Sequence, residues 1–469
     1  MKILLVSPPT NSAIERIVGT TGPPLSFAYL ASMIRDRHDV KIVDSIAEKL
    51  SFKDLRQKIK HFDPELLCIT ATTSMMPDAY ETAKIAKELN ENAKIVIGGP
   101  HVTFLPDKTL NECPYIDYVV RGEGEHTFKE LVKTIEKEKG FENIRGLSFR
   151  KNKKTVNNPP RKLIKNIDEI PTPAYDLLPM EHYKADGIKF GTIVTSRGCP
   201  FNCIFCSSSL QFGKKWRGHS ADRVIKELSL LRNEYGRKAI EFLDDTFTLV
   251  KPRVSEIAKK IKEEKLDISW TASSRVDTFS KEIAEEMHKA GAHTIYFGIE
   301  SGTQKILDFI GKGITPEQSM ISVKNAKKAG LHTFGSFIIG FPQENKKDVK
   351  TTLKFSRKIG VDFAQFTIAT PYPGTRLWYM ALKEKLLTTM DWKRFTTLDP
   401  VLKLKNFTCI QIARILEMAY VKFYLRPKVL IRDMIQEKGF ILRRSVPQAI
   451  KMFMGKKGFE CCNLSGEGV

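Results

Sequence analysis

From residue 1 to about 137, five short apolar runs (KILLVS, DVKIVD, ELLCIT, AKIVIG and YIDYVV) alternate with helical patterns such as PLSFAYLASMIRD, FKDLRQKIKHF and DAYETAKIAKEL. Strands that are apolar throughout, separated by amphipathic helices, mark a doubly wound parallel sheet with both faces covered. The expected fold class is α/β, opening with a flavodoxin-like sheet whose ligand lies beyond the C-terminal ends of the strands. A second alternation starts at Gly191, with GTIVTS, AIEFLDD, ISWTASSR, HTIYFGIES, HTFGSFIIGF and DFAQFTIATP. Six strand–helix units are too few for a closed eightfold barrel and predict an open, partial (β/α)6 barrel.

Between the two alternations, the stretch VNNPPRKLIKNIDEIPTPAYDLLPMEHY is crowded with proline and turn formers and reads as a linker with little regular structure. The expected layout is a first domain over 1–137, a linker over 138–188, a barrel core over 189–384 and a mostly helical, basic region over 385–469. At 469 residues the chain has room for several domains. No run of about 18 apolar residues exists and the start is too short for a signal peptide, so a cytoplasmic protein is expected.

The net charge of +22 is uneven. Residues 1–135 carry 17 Lys/Arg against 18 Asp/Glu, whereas 401–469 carry 13 against 5. The first domain is therefore neutral, and the excess lies in the barrel and tail. A basic surface attracts nucleic acid, anionic lipid and acidic protein alike, so charge alone selects no partner.

Three of the eight cysteines, Cys199, Cys203 and Cys206, stand in a C-x3-C-x2-C spacing just after the first strand of the second alternation. A secreted disulfide framework would spread its cysteines through a smaller chain, so the cluster reads as metal ligation in a reducing compartment. Three thiolates on a four-iron cluster leave one iron open to a small molecule. The competing reading is a zinc site completed by a histidine such as His219, although zinc ribbons use two separated pairs. Cys461 and Cys462 read as exposed thiols. Arg197, beside the cluster, reads as a solvated loop charge.

The spacing resembles that of the radical S-adenosylmethionine (SAM) enzymes. The resemblance continues through EFLDDTF (241–247), SSRVD (273–277), FGIESG (297–302), SFIIGFPQE (336–344) and TPYPGT (370–375), at the ends of successive strands. It implies a 4Fe-4S cluster on the three cysteines, SAM chelating the open iron, and reductive cleavage to a 5′-deoxyadenosyl radical. By position in these motifs, Glu300 and Ser301 are expected at the ribose or methionine ammonium, Asp244 and Arg275 at the amino and carboxylate ends, and Gly340 and Phe341 at the adenine. No catalytic acid or base is assigned.

The first domain in turn resembles cobalamin-binding domains. IGGPHVTFLP (97–106) and VVRGEGEHTFKEL (119–131) match the fourth and fifth strand–loop segments, and TATTSMM (70–76) offers hydroxyls after the third strand. The resemblance assigns Thr70, Thr72, Ser74, Gly98, Gly99, His101, Gly122, Glu123 and Gly124 to cobalamin, the glycines admitting backbone close to its nucleotide tail. The first loop lacks the glycine pattern that cradles pyrophosphate. It also lacks the histidine with which many cobalamin domains ligate cobalt from below, so a base-off cobalamin without a histidine ligand is expected. Pro8, Pro9 and the GTTGPP turn then serve as wall.

The combined resemblance implies a methyltransferase that carries a methyl group from SAM through cobalamin to an unactivated carbon. Here the cofactors hold the reactivity and the protein supplies geometry. The compact layout suits a protein or peptide substrate and is similar to that of the glutamine C-methyltransferases acting on methyl-coenzyme M reductase in methanogens. A lipid methylase or cyclase is the runner-up, with the basic C-terminal stretch as a membrane-surface element. A non-catalytic cobalamin carrier or sensor would have no use for the cysteines. A methylthiotransferase would need further N-terminal cysteines, where only Cys68 and Cys113 stand, far apart. The expected reductant is a ferredoxin or flavodoxin, and no nucleic-acid partner is expected.

Overall fold

Strand β1 (Lys2–Ser7) enters the core at once, and its residues Ile3 to Val6 are almost wholly inaccessible. Burial on both faces is what a strand inside a doubly wound sheet requires. A computed structural model describes residues 1–10, 22–137, 140–185, 187–427 and 429–431. In it β1 lies between β2 (Asp39–Asp44) and β3 (Leu66–Thr70), followed by β4 (Lys94–Gly98), β5 (Tyr118–Val120), β6 (Leu147–Lys151) and β7 (Lys154–Asn157). The sheet order is β2-β1-β3-β4-β5-β6-β7, parallel through β5. Strand order reverses at β1, which pairs with both β2 and β3, and such a switch opens a crevice beyond the strands' C-terminal ends. The helices packed on the sheet follow ordinary rules: Phe52–Phe62 starts at a Ser51/Asp54 capping box and buries Leu55, Ile59 and Phe62 on one face.

The region over 138–188 is less irregular than its prolines suggest. Strands β6 and β7 form a hairpin that extends the first sheet antiparallel to β5. Its two-residue turn, Asn152–Lys153, has φ of 50° and 64°, the left-handed geometry that matches strand twist. Neither residue is glycine, so the turn leaves little trace in the sequence. Between Asn157 and Tyr183 the chain holds only single 3-10 turns, at Ile167–Glu169, Tyr175–Leu177 and Met180–His182.

The chain divides into two compact units. One comprises Met1–Pro200, Ser207–Glu241 and Tyr372–Gly374, and the other Phe201–Cys206, Phe242–Pro371 and Thr375 onward. The first unit continues with β8 (Lys184–Ala185), β9 (Ile188–Ile193), β10 (Ser196–Arg197), β11 (Arg217–Gly218) and the start of β12 (Ala239–Phe242). Strands β10 and β11 pair antiparallel, Arg197 opposite Arg217, and so close the loop that carries the three cysteines. The second unit holds β13 (Ser269–Ser274), β14 (Ala292–Glu300), β15 (His332–Ile339) and β16 (Phe363–Ile368), parallel and in sequence order. All six strands expected of the second alternation are therefore present, in an open half-barrel sheet with the short β8 added at its edge.

The helix Cys409–Tyr424 covers the exposed edge of β16. Tyr424 Oη bonds the backbone N–H and C=O of Ala364 (3.0 and 2.8 Å), and Tyr420 Oη does the same for Phe366 (3.2 and 2.9 Å). Two phenols thus stand in for a missing neighbour strand. No helix among the described residues is long and apolar enough to cross a membrane. The first loop over 11–21 and the tail over 432–469, with Cys461 and Cys462, lie outside the described residues.

Candidate functional site

In the first unit the expected cobalamin residues collect where β3, β4 and β5 end. Thr70 closes β3, Thr72 is exposed, and Ser74 lies in the following 3-10 turn. Gly98 closes β4, and Gly99 has φ 121°, where a Cβ would stand 2.5 Å from the Ala71 carbonyl oxygen. Only glycine fits so close an approach between the two loops. His101 is buried, with Nδ1 3.3 Å from Thr73 Oγ1, and burial, aided by Lys108, pushes its pKa down to about 4. The imidazole is therefore neutral at physiological pH. Gly122 has φ 71° and donates its N–H to Thr103 Oγ1 at 3.0 Å, just before Gly124 opens the helix Gly124–Glu136. A cavity of about 290 Å³ opens beside Gly122, walled by Thr103, Phe104, Arg121, Arg161 and Lys162 among others.

Glu123 lines the same cavity. Its carboxylate is buried against Arg217, and Arg197, expected to be solvated, is buried with it. The reason is mutual: each charge sits at a strand end with no water to face, so each takes the opposite charge as partner. Burial alone would lower the pKa of Arg197, but Glu125 and Glu123 more than offset it and raise the value above that of ordinary arginine.

The cysteine loop is shaped by backbone contacts. Gly198 has φ 87°, with Lys215 O 2.5 Å from where a Cβ would stand, and Cys199 N–H bonds Gly213 O at 3.1 Å. In the second unit Cys206 N–H closes a turn onto Cys203 O (3.1 Å), and Ile204 N–H bonds Ile310 O (2.9 Å). All three thiols are half-buried and free of disulfides. The zinc reading finds no support. His219 is held by Asp168 at 2.8 Å and lowered to about pKa 4 by burial, against the pull of Asp168. Among the described residues, no three or more His, Cys, Asp or Glu gather into a single-ion site. Three reduced, accessible thiols on one loop fit a cluster whose ligands bind separate irons.

Beside the loop, β14 ends in an irregularity between Gly298 and Glu300 that sets Glu300 at φ 63°, a costly conformation for a glutamate. Its buried carboxylate meets Lys312 Nζ at 2.7 Å, and a Cβ on Gly298 would touch both groups. Lys312 stands between Gly311 and Gly313, both at positive φ. Its carbonyl accepts Arg275 Nη2 at 2.6 Å, while Asp277 takes the same guanidinium in a fork at 2.9 and 2.8 Å. Arg275 lies over the Phe201 ring, 3.4 Å from its centroid, and Nη1 is 4.0 Å from Cys203 Sγ. Asp244 is buried after β12, and Ser301, also buried, bonds Thr352 Oγ1 at 3.0 Å and braces its own loop. Lys312 and Phe201 escaped the sequence reading. The GKG triplet, a lysine between two turn glycines, was the available signal for the first.

Glu344 also escaped it. Its Oε2 accepts the N–H groups of Gly340 (2.5 Å) and Phe341 (3.0 Å), the residues expected at adenine, so those two donors are already spent. Burial raises the Glu344 pKa to about 7, against the two N–H bonds that lower it. A carboxyl raised above its unfolded value contributes stability while protonated and loses it as pH rises through the folded pKa. Relative to Glu344→Gln, the wild type should therefore lose about 1–2 kcal/mol between pH 5.5 and 8.5 in urea melts. Parallel stability curves over that interval would refute the assignment.

The Radical SAM superfamily model matches residues 193–356, and the B12 binding domain model matches residues 13–132. The chain is 62% identical over 453 residues to the uncharacterized methyltransferase PH0819 of Pyrococcus horikoshii, covering 97% of this chain and 99% of that one. It is 28% identical to an anaerobic magnesium-protoporphyrin IX monomethyl ester cyclase of Cereibacter sphaeroides, covering 97% of this chain and 75% of the relative. Among solved structures, the radical SAM methyltransferase TsrM of Kitasatospora setae, with cobalamin and a 4Fe-4S cluster bound, matches with a TM-score of 0.69 at 17% identity, over 82% of this chain and 75% of that one. With its parallel first sheet, open half-barrel and cysteine loop, the chain belongs to the cobalamin-dependent radical SAM methyltransferase family.

Proposed function

We propose that the protein methylates an unactivated carbon of a protein or peptide side chain, the glutamine methylation of methyl-coenzyme M reductase being one reaction of this class. The observation that carries the methyl-transfer reading is the union of the C-x3-C-x2-C loop with a B12-type first domain, in a chain 62% identical to a methyltransferase-family relative. When bound, the cluster and SAM supply a hydrogen-abstracting radical, and cobalamin supplies a transferable methyl group.

The chain's own residues hold and orient. Cys199, Cys203 and Cys206 would supply three thiolates to the cluster and leave one iron for a ligand from outside the protein. Arg275, fixed by Asp277 and the Lys312 carbonyl, would take a carboxylate. Glu300, with Asp244 and Ser301 next in the motif order, would take hydroxyl or ammonium groups, and Phe341 would offer an apolar surface to a base. In the first unit, Thr70, Thr72, Ser74, Gly98, Gly99, His101, Gly122 and Gly124 would hold the corrinoid. Residues 7–24 contain no histidine, which supports the base-off form. A reductant of the ferredoxin or flavodoxin class would serve the cluster.

A second reading is cyclase chemistry, favoured by the 28% identity to the monomethyl ester cyclase over 97% of this chain. Anaerobic reconstitution with iron, sulfide and hydroxocobalamin, followed by SAM and dithionite, separates the two. Formation of both S-adenosylhomocysteine and 5′-deoxyadenosine supports methyl transfer. Deoxyadenosine with no S-adenosylhomocysteine overturns it in favour of cyclisation.

A further inference from the structure

Arg197 and Arg217 face one another across the β10–β11 pair, at the two ends of the cysteine loop. Both turn inward, with side chains 8% and 6% exposed. Arg197 Nη2 lies 2.5 Å from Glu125 Oε1 and its Nη1 3.4 Å from Glu123 Oε1. Arg217 Nη1 lies 2.9 Å from Glu123 Oε1 and also donates to Ile164 O at 2.6 Å, while Arg217 Nη2 donates to Phe212 O at 2.7 Å. Glu123 Oε2 in turn accepts the Ile164 N–H at 2.8 Å. Two guanidinium groups and two carboxylates form a charge-balanced, buried quartet. Both acids come from the GEGE segment after β5, where Gly122 and Gly124 flank Glu123.

Burying four ions stabilises a fold little better than four apolar side chains of similar size would, so the use of such a quartet lies in fixing geometry. The geometry fixed here is specific. Arg197 is two residues from Cys199, Arg217 closes the far end of the same loop, and the acids stand at the strand end where the first sheet presents its ligand crevice. We propose that Glu123 and Glu125 are positioning residues for the cysteine loop, holding its ends through Arg217 and Arg197, and that a corrinoid seated against Gly122 and Gly124 tightens the same quartet. Cobalamin binding and the order of the cysteine loop are then coupled, and by linkage the coupling runs in both directions. The second half rests on the cobalamin reading above.

The test uses full-length, cluster-free protein under anaerobic conditions and follows iodoacetamide labelling of Cys199, Cys203 and Cys206 by peptide mass spectrometry. Glu123→Gln should accelerate labelling on the order of tenfold, because it cuts the tie between the segment after β5 and the Arg217 end of the loop, which then opens more often. Should that variant fail to fold, the double variant Glu123→Gln/Arg217→Met removes both charges and should label comparably fast. A folded double variant that labels at the wild-type rate overturns the positioning role. Hydroxocobalamin, its binding read from the visible spectrum, should slow labelling on the order of tenfold in the wild type and leave the double variant unchanged. Binding that slows both proteins equally overturns the coupling while the cobalamin reading stands. Absence of binding to the wild type overturns the cobalamin reading and the coupling together, and the cofactor-free labelling rates still decide the positioning role.

Discussion

Cys203→Ala is expected to abolish 5′-deoxyadenosine formation while hydroxocobalamin binding persists. The three thiols share one eight-residue stretch, and Cys203 Sγ lies 4.0 Å from Arg275 Nη1 and 3.9 Å from Gly311 O. An alanine there leaves two thiolates, too few to hold a four-iron cluster with a single open site, and removes the sulfur that the guanidinium faces. The expected loss is at least about a thousandfold in deoxyadenosine, larger than the 10–100-fold typical of changing a residue that only supports a metal ligand. The proposed corrinoid residues lie at the ends of β3, β4 and β5 in the first unit, whereas Cys203 belongs to the second, so the spectral change on adding hydroxocobalamin should match the wild type. Chromatography of the nucleoside product and a visible titration read both arms. Deoxyadenosine at the wild-type rate would refute the ligand assignment, and loss of hydroxocobalamin binding would refute the separation of the two sites.

What the sequence made legible, and what it hid, divides along a physical line. The eleven strands of the two alternations announce themselves because periodicity is local: a run such as Ile3–Val6 or Phe337–Ile339 is apolar for reasons confined to its own neighbours. The cysteine spacing is local too. The partners of the site charges are not. Glu123 meets Arg217 across 94 residues and Arg197 across 74, so nothing near the GEGE segment distinguishes an acid aimed at a ligand from one aimed at an arginine. The same limit hid Lys312 and Phe201, and it hid the β6–β7 hairpin, whose Asn152–Lys153 turn adopts left-handed φ without glycine. Gly298 is an intermediate case. A glycine inside a strand hints at a bulge or close approach, but only the fold shows that the space is filled by the Glu300–Lys312 pair.

That pair sets the second large effect. Lys312→Met should destabilise the second unit by about 3 kcal/mol, because it strands the Glu300 carboxylate in a site where both side chains are under a tenth exposed. The loss has two routes. The ammonium at 2.7 Å vanishes from beside a buried anion, and Glu300, held at φ 63°, loses the contact that offsets its backbone strain. Arg275 should be less affected, since Lys312 holds it through a main-chain carbonyl that methionine retains. Three of the four tryptophans, Trp270, Trp378 and Trp392, belong to the second unit, so a urea melt followed by fluorescence reports chiefly on it. The double variant Glu300→Gln/Lys312→Met removes both charges and should return to within about 1 kcal/mol of the wild type, a coupling that a double-mutant cycle isolates. Additive losses in that cycle would mean that the two groups act independently, and that Lys312 is kept for its carbonyl and its two glycine neighbours alone.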